Sequence, residues 1–227
     1  MTTSVNIYSG QAVLCLQVTK SPAREYTKQK REGHMDYLIL VNRFEPIPAG
    51  WSDTLKLREA GGKLFEEQTA VQLEKMLGEA LTYGIEIAVI SGYRSEDYQQ
   101  MLWEKEISRN MGRGLDYADA VSETGKTLAL PGCSEHGTGL AADLGTAGAD
   151  DIEPNFHKTA AGKWLSQNAG KFGFILRYPR MKEHITGIDF EPWHYRYVGD
   201  KSAELITASG ICLEEFLHFY SDKYTLC

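Results

Sequence analysis

The sequence predicts an α+β fold in which a central, mainly antiparallel sheet is flanked by helices. Three observations support this prediction. Residues 85–90 form a mostly apolar run typical of a buried strand. Residues 139–144 alternate small or polar side chains with apolar ones, which is the period of a strand. Three longer segments, 69–83, 95–110 and 159–172, have the apolar periodicity of helices that pack against a core.

The elements follow one another with recognisable boundaries. Residues 5–18 predict two strands around a Ser9–Gly10 turn, and the polar, basic residues 19–34 predict a solvated linker or a partner-binding arm. We therefore divide the chain into residues 1–34 and a main domain, 35–227. Within that domain Tyr37–Val41 predicts a short strand. The first long helix is predicted to begin with a Thr69 cap and to end at Gly84. The second is predicted to begin with a Ser95 cap and to bury Tyr98, Leu102 and Ile107. A further short strand is predicted at Phe174–Leu176.

Two distant segments contain the residues of a predicted zinc site. His136 and Asp143 lie in the first, and His194 lies in the second. Histidine nitrogen and carboxylate oxygen are favoured zinc ligands, and a catalytic zinc keeps three protein ligands with a fourth position for water. We predict one zinc ion per chain, held by these three residues. Glu191 remains as a carboxylate that could take a proton from the zinc-bound water.

The strand that carries His194 must be irregular if Glu191 is to face the same ion. Residues 185–198 are rich in aromatic and β-branched side chains, so they predict a strand. Residues three apart on a regular strand face opposite ways, so we expect a bulge or kink near Pro192. Cys133, three residues before His136, is an alternative ligand, but the His/Asp/His set is complete without it.

Three motifs resemble a known family. They are Ser91-Gly92-Tyr93-Arg94-Ser95, the pattern Ser-x-His-x-x-Gly-x-Ala-x-Asp over Ser134–Asp143, and Glu191-x-x-His194. In this order they resemble the D-alanyl-D-alanine metallopeptidases of the VanX and VanY type, and the resemblance extends from Tyr37 to Tyr220. Residues 131–136 and 191–199 are most similar to VanY and to the bifunctional VanXY enzymes. The resemblance implies a hedgehog/D,D-peptidase-like fold, with the catalytic domain in residues 35–227.

The resemblance also implies roles for single residues. Arg94 matches the cation that stabilises the oxyanion of the tetrahedral intermediate. Ser134 matches a residue that binds the substrate's terminal carboxylate, and Gln99 matches a substrate-binding glutamine. A turn serine and a surface glutamine are the ordinary alternatives for the last two. The implied activity is D,D-carboxypeptidase or D,D-dipeptidase action on peptidoglycan precursors ending in D-Ala-D-Ala, linked to vancomycin resistance. The alternatives are an L,D-carboxypeptidase that trims tetrapeptides, a non-catalytic zinc-stabilised binding module, and an additional cell-wall-binding role for residues 1–34.

Composition restricts the partners and the compartment. The 227 residues carry a net charge of −7 with acidic and basic residues interspersed, which argues against a nucleic-acid-binding surface. No apolar run approaches the ~20 residues of a membrane span, and no signal peptide is visible. The four scattered cysteines predict free thiols, with two disulfides as the alternative. We therefore expect a cytoplasmic protein, or an extracytoplasmic one if the natural protein has an anchor that is missing here. The oligomeric state is not predicted.

Overall fold

Two short hairpins precede the main sheet. The computed structural model describes residues 6–8, 11–13 and 35–220. Strand β1 (Asn6–Tyr8) pairs antiparallel with β2 (Gln11–Val13), and the turn predicted at Ser9–Gly10 lies outside the described residues. Strand β3 (Leu57–Ala60) pairs in the same way with β4 (Lys63–Glu66). The predicted linker, residues 19–34, lies outside the described residues, and the domain boundary at residue 34 stays a prediction.

The central sheet has four antiparallel strands and brings distant residues side by side. Its strands are β5 (Ile87–Ser91), β6 (Ala141–Thr146), β7 (Phe174–Leu176) and β8 (His194–Tyr197), in the order β5-β6-β8-β7. In the register of β6 with β8, Asp143 lies opposite His194. On the other side of β6, Asp143 lies opposite Ser91. The predicted antiparallel sheet is confirmed, and its two central strands supply residues to the predicted site.

Helices flank this sheet. They are α1 (Trp51–Thr54), α2 (Glu67–Thr82), α3 (Glu96–Gly112), α4 (Tyr117–Thr124), α5 (Ala160–Asn168), α6 (Glu183–Thr186), α7 (Asp200–Ser209) and α8 (Leu213–Tyr220). Short 3-10 turns cover Glu135–Thr138, Phe156–Lys158 and Ala169–Phe172. The helices predicted at 69–83 and 95–110 are α2 and α3, and the one predicted at 159–172 is α5 followed by a 3-10 turn. Among the described residues, none of these helices has the length and apolar character needed to cross a membrane.

Two apolar clusters hold the helices to the sheet. In the larger one, α2 and α5 pack against one face of the sheet; its members include Leu73, Met76, Leu144, Leu165 and Phe174. The smaller one joins β7 to the two C-terminal helices through Ile175, Ile206, Leu213 and Phe216. Burying each of these large side chains contributes about 1.5–3 kcal/mol relative to leaving it exposed. The C-terminal helix α8 is therefore an integral part of the domain.

Two details of the long helices differ from the prediction. Helix α2 is capped by Glu66, because the Glu66 carboxylate accepts a hydrogen bond from the Thr69 backbone N–H at 2.9 Å. The predicted Thr69 cap is wrong by three residues because a carboxylate one turn earlier satisfies the free N–H group. In α3, Ser95 is the cap as predicted. Tyr98 is exposed, however, whereas Ile107 is buried.

Two predicted strand segments are not strands. Residues 37–41 form turns and coil. Of the segment 185–198, only His194–Tyr197 is a strand, and its start forms the short helix α6. Helix α6 ends at Gly187, whose φ of 73° suits the left-handed end of a helix. The β-branched composition misled the prediction because the glycine end signal outweighs a weak strand propensity.

Gly162 in α5 allows a close approach that no side chain would permit. A Cβ at this position would overlap the carbonyl oxygen of Phe156 and lie 2.7 Å from its carbonyl carbon. We expect Gly162→Ala to lower the free energy of unfolding by about 1–3 kcal/mol, because the backbone of the 3-10 turn must shift. Gly78→Ala is the control, since a Cβ at Gly78 in α2 meets no atom within 4 Å.

Urea denaturation measures both changes. The control should raise the free energy of unfolding by about 0.5–1 kcal/mol, because alanine favours a helix interior over glycine. Equal stability of the two variants would contradict the packing described for Gly162.

Candidate active site

His136 enters the site from the 3-10 turn that precedes β6. Its Nδ1 lies 2.7 Å from the carbonyl oxygen of Gly92, so Nδ1 carries the proton and donates it. The other ring nitrogen, Nε2, then lies 3.1 Å from Oδ2 of Asp143 with its lone pair available. A hydrogen bond on the far side of the ring is the usual way in which a metal-binding histidine is oriented.

His194 faces the same carboxylate from the neighbouring strand. Its Nδ1 lies 3.1 Å from Oδ1 of Asp143. Its Nε2 lies 3.4 Å from Oε2 of Glu135. The carboxylate of Glu135 therefore accepts a hydrogen bond from the protonated Nε2, which leaves Nδ1 as the nitrogen available to an ion.

These three side chains have the chemistry and spacing of a zinc site. One nitrogen or oxygen atom from each of His136, Asp143 and His194 lies within 4.8 Å of those of the other two, and all three residues are buried. Within the described residues, Oδ1 of Asp143 is a buried oxygen that accepts no hydrogen bond. Two imidazoles and a carboxylate suit a catalytic zinc. The residues fit the predicted ion, and Cys133 is outside this group.

Glu191 approaches the group through a tight turn. The backbone N–H of His194 donates to the carbonyl oxygen of Glu191 at 3.2 Å, and Pro192 is the second residue of the turn. This turn is the kink predicted near Pro192. It places Oε2 of Glu191 3.7 Å from Nδ1 of His194. Burial raises the pKa of Glu191 to about 8, and a dication nearby would lower that pKa toward the range of a general base at neutral pH.

Arg94 lies on the opposite side of Asp143, after the end of β5. Its guanidinium donates to Oδ2 of Asp143 at 2.6 Å and to the Ser91 hydroxyl at 2.9 Å. Gln99 is buried in α3, so the surface alternative is wrong for this residue. Its amide nitrogen donates to the Ala129 carbonyl at 2.8 Å, and its amide oxygen faces Arg94 at 3.5 Å. The Arg94 side chain is thus held from three sides.

The site opens into two adjoining cavities. The cavity around the three predicted ligands, Glu191 and Arg94 has a volume of about 100 Å³. A second cavity of about 310 Å³ is lined by residues that include Ile47, Trp51, Tyr93 and Glu96. Arg94, Gln99 and Ser134 line both cavities. The structure therefore brings all seven predicted site residues together at one opening in the surface.

Sequence reasoning missed the buried charge cluster behind His194. Oε1 of Glu135 accepts hydrogen bonds from Nε of Arg177 at 2.7 Å and from Nη1 of Arg196 at 2.6 Å. Burial raises the pKa of Glu135, but the two guanidinium groups outweigh it and hold the pKa well below its usual range. The available signal was an arginine directly after β7 and another within β8, where apolar residues are expected.

A comparison with known protein families identifies the chain. The sequence profile of VanY, described as D-alanyl-D-alanine carboxypeptidase, matches residues 62–200. The chain belongs to the VanY family. A D-alanyl-D-alanine carboxypeptidase of Enterococcus faecalis is 39% identical over 181 residues, which cover 80% of this chain and 65% of that relative. The chain thus spans slightly less than two thirds of the length of this relative.

Solved structures agree with the VanY assignment. A variant of the VanY D,D-pentapeptidase from a VanB-type resistance cassette, in complex with Zn(II), has a TM-score of 0.73 at 36% identity, covering 81% of this chain and 99% of that chain. VanYB in complex with D-alanine-D-alanine also has a TM-score of 0.73, at 37% identity, covering 81% and 98%. The LD-carboxypeptidase LdcB scores lower, 0.68 at 30% identity, covering 95% of this chain and 94% of its own. The predicted α+β, D,D-peptidase-like fold is confirmed.

Proposed function

We propose that this VanY-family protein is a zinc-dependent D,D-carboxypeptidase/D,D-dipeptidase that hydrolyses D-Ala-D-Ala termini of peptidoglycan precursors. The proposal rests mainly on the arrangement of charged groups around one cavity. A carboxylate that is not needed as a ligand, Glu191, and a guanidinium, Arg94, lie on the same cavity as a His/Asp/His group that fits zinc. The D-Ala-D-Ala complex of VanYB supports the choice of substrate.

Each proposed catalytic group has a distinct task. When bound by His136, Asp143 and His194, one zinc ion per chain supplies a water ligand with a pKa near 7. Glu191 accepts the proton of the attacking water at its carboxylate and then passes it to the departing amine. Arg94 donates to the oxygen that becomes negative when the amide carbonyl is attacked. A permanently charged, pre-oriented donor suits that task because it needs no reorganisation during the reaction.

The second cavity favours a peptide longer than the free dipeptide. This cavity has a volume of about 310 Å³ and shares Arg94, Gln99 and Ser134 with the cavity around the predicted metal ligands. It gives room for substrate residues beyond the scissile bond. We propose Ser134 as a ligand of the terminal carboxylate and Gln99 as a second polar contact. A cytoplasmic pentapeptide precursor is the proposed substrate. Its cleavage would remove the D-Ala-D-Ala target of vancomycin, so we propose a role in resistance to this antibiotic.

Two competing functions make different demands on the site. A non-catalytic, zinc-stabilised binding module has no need for Glu191 beside an open metal position, so its burial there argues for catalysis. An L,D-carboxypeptidase would use the same residues on a tetrapeptide. The family profile and both VanY structures favour the D,D activity.

Release of D-alanine from three substrates tests the proposal. We expect the zinc-loaded protein to release D-alanine fastest from a pentapeptide ending in D-Ala-D-Ala, more slowly from the free dipeptide, and not from the tetrapeptide. Chiral chromatography of the products measures each rate, and the same pentapeptide ending in D-Ala-L-Ala is the matched control. Release from the tetrapeptide alone would replace the proposal with the L,D activity. No release from any of the peptides would favour a binding module.

A further inference from the structure

Glu135 connects a predicted metal ligand with the buried interior of the domain. Its carboxylate has no exposed surface, and the side chains of Arg177 and Arg196 have none either. Oε1 of Glu135 is occupied by the two arginines, at 2.7 Å and 2.6 Å. The second oxygen, Oε2, is left to face Nε2 of His194 at 3.4 Å. The two oxygens of one carboxylate thus have separate partners.

The two arginines are themselves fixed from behind. Arg177 forms a two-pronged pair with Glu214 of α8, at 2.9 Å and 2.7 Å. Arg196 donates to the backbone carbonyls of Tyr37 and Ile39, at 3.1 Å and 2.8 Å. Two carboxylates and two guanidinium groups balance in charge, as buried ions require. Glu135 therefore has a carboxylate whose position is set by β7, β8 and α8 together.

We propose that Glu135 is a positioning residue that selects the metal-binding tautomer of His194. Its ionised carboxylate can only accept, so it holds the proton on Nε2 and leaves Nδ1 unprotonated toward Asp143. Arg177 and Arg196 bind Oε1 of Glu135, and this orientation of the carboxylate leaves Oε2 facing Nε2 of His194. This inference rests on the proposed metal site, because it gives Nδ1 of His194 the role of a ligand.

Glu135→Gln tests the tautomer directly. The amide that replaces the carboxylate has nearly the same shape, and its oxygen can still accept from the two arginines. Its NH₂ group would then face Nε2 of His194, where it donates instead of accepting. That contact favours the wrong tautomer, with the proton on Nδ1. We expect the dissociation constant for zinc to rise about 10–100-fold, the usual effect of losing a partner behind a metal ligand.

Glu214→Gln is the matched control. It removes the same charge from the same cluster, but Glu214 contacts Arg177 and not His194. Both variants should lower the melting temperature of the metal-free protein. Of these two variants, only Glu135→Gln should weaken zinc binding, which is measured by competition with a chromophoric chelator. Of the two, it alone should alter the visible spectrum of the cobalt-substituted protein.

Glu135→Asp is a third variant of the test. It keeps the charge that balances the arginines, but its side chain is too short to reach His194, so it should also weaken zinc binding.

The outcomes separate this inference from the proposed function. Zinc binding that is weakened by Glu135→Gln and Glu135→Asp, but not by Glu214→Gln, supports a positioning role. Equal effects of Glu135→Gln and Glu214→Gln, or wild-type zinc affinity in Glu135→Asp, would overturn it while leaving the metal site intact. A wild-type protein that binds no zinc would overturn the metal site as well.

Discussion

Glu191→Gln is expected to remove nearly all hydrolysis while zinc stays bound. The Glu191 carboxylate lies beside His194 but is not needed to complete the His/Asp/His set. An amide at this position fills the same space but cannot accept the proton of the attacking water. General acid–base catalysis typically contributes about 10²–10⁴-fold, so we expect kcat to fall by that factor. Steady-state kinetics on the pentapeptide, with zinc content measured by atomic absorption, test this.

Glu204→Gln is the control for this variant. Glu204 is an exposed glutamate of α7, so its replacement should leave both the turnover and the zinc content of the protein unchanged. A Glu191→Gln variant with turnover near that of the control would exclude Glu191 as the base. Loss of zinc together with turnover would instead make Glu191 part of the metal site.

The grouping of His136, Asp143 and His194 could be predicted from the sequence because its geometry is largely local. His136 and Asp143 belong to one short motif, in which a 3-10 turn leads through Gly139, with a φ of 74°, into β6. Only the arrival of His194 depends on long-range structure, and an antiparallel pairing of β6 with β8 is enough to supply it. Side-chain type and spacing therefore carried most of the information for these three residues.

Glu135 could not be predicted in the same way. It lies in the same motif, between Ser134 and His136, but nothing in its neighbours tells whether it faces water. Its burial depends on Arg177, directly after β7, and Arg196, within β8, which reach Glu135 only when the sheet has folded. A charged residue is normally placed at the surface unless a partner is known. The pairing is a product of topology, which the sequence pattern does not encode.

The short helix α6 and the late start of β8 at His194 were missed for a related reason. Aromatic and β-branched residues favour a strand, but backbone hydrogen bonds from Thr186 to Lys182 and from Gly187 to Glu183 form a helical turn there instead. The turn at Pro192 then sets the direction of β8. Local propensity is weak here, and the position of Glu191 depends on the competing turn and helix signals.

Asp143→Asn is expected to abolish activity by a different route from Glu191→Gln. Asp143 is the only anionic member of the group that fits zinc, and it also accepts from Arg94 at 2.6 Å. The amide has no charge to attract a dication. Losing a residue that only hydrogen-bonds to a metal ligand lowers affinity up to about 100-fold, and we expect the loss of zinc affinity in Asp143→Asn to be larger. Asp150→Asn, in an exposed loop, is the control.

Added zinc distinguishes the two inactive proteins. Asp143→Asn is expected to lose activity mainly because too little zinc is bound at the site. Zinc titration should therefore restore part of its turnover until the site is saturated. The same titration should leave Glu191→Gln inactive, since its site is already full and the missing group is the proton acceptor. Restoration of Glu191→Gln by zinc, or full activity of Asp143→Asn without added metal, would reverse the roles of ligand and base. The difference between the two titration curves therefore assigns each carboxylate to its task without a structure of the bound state.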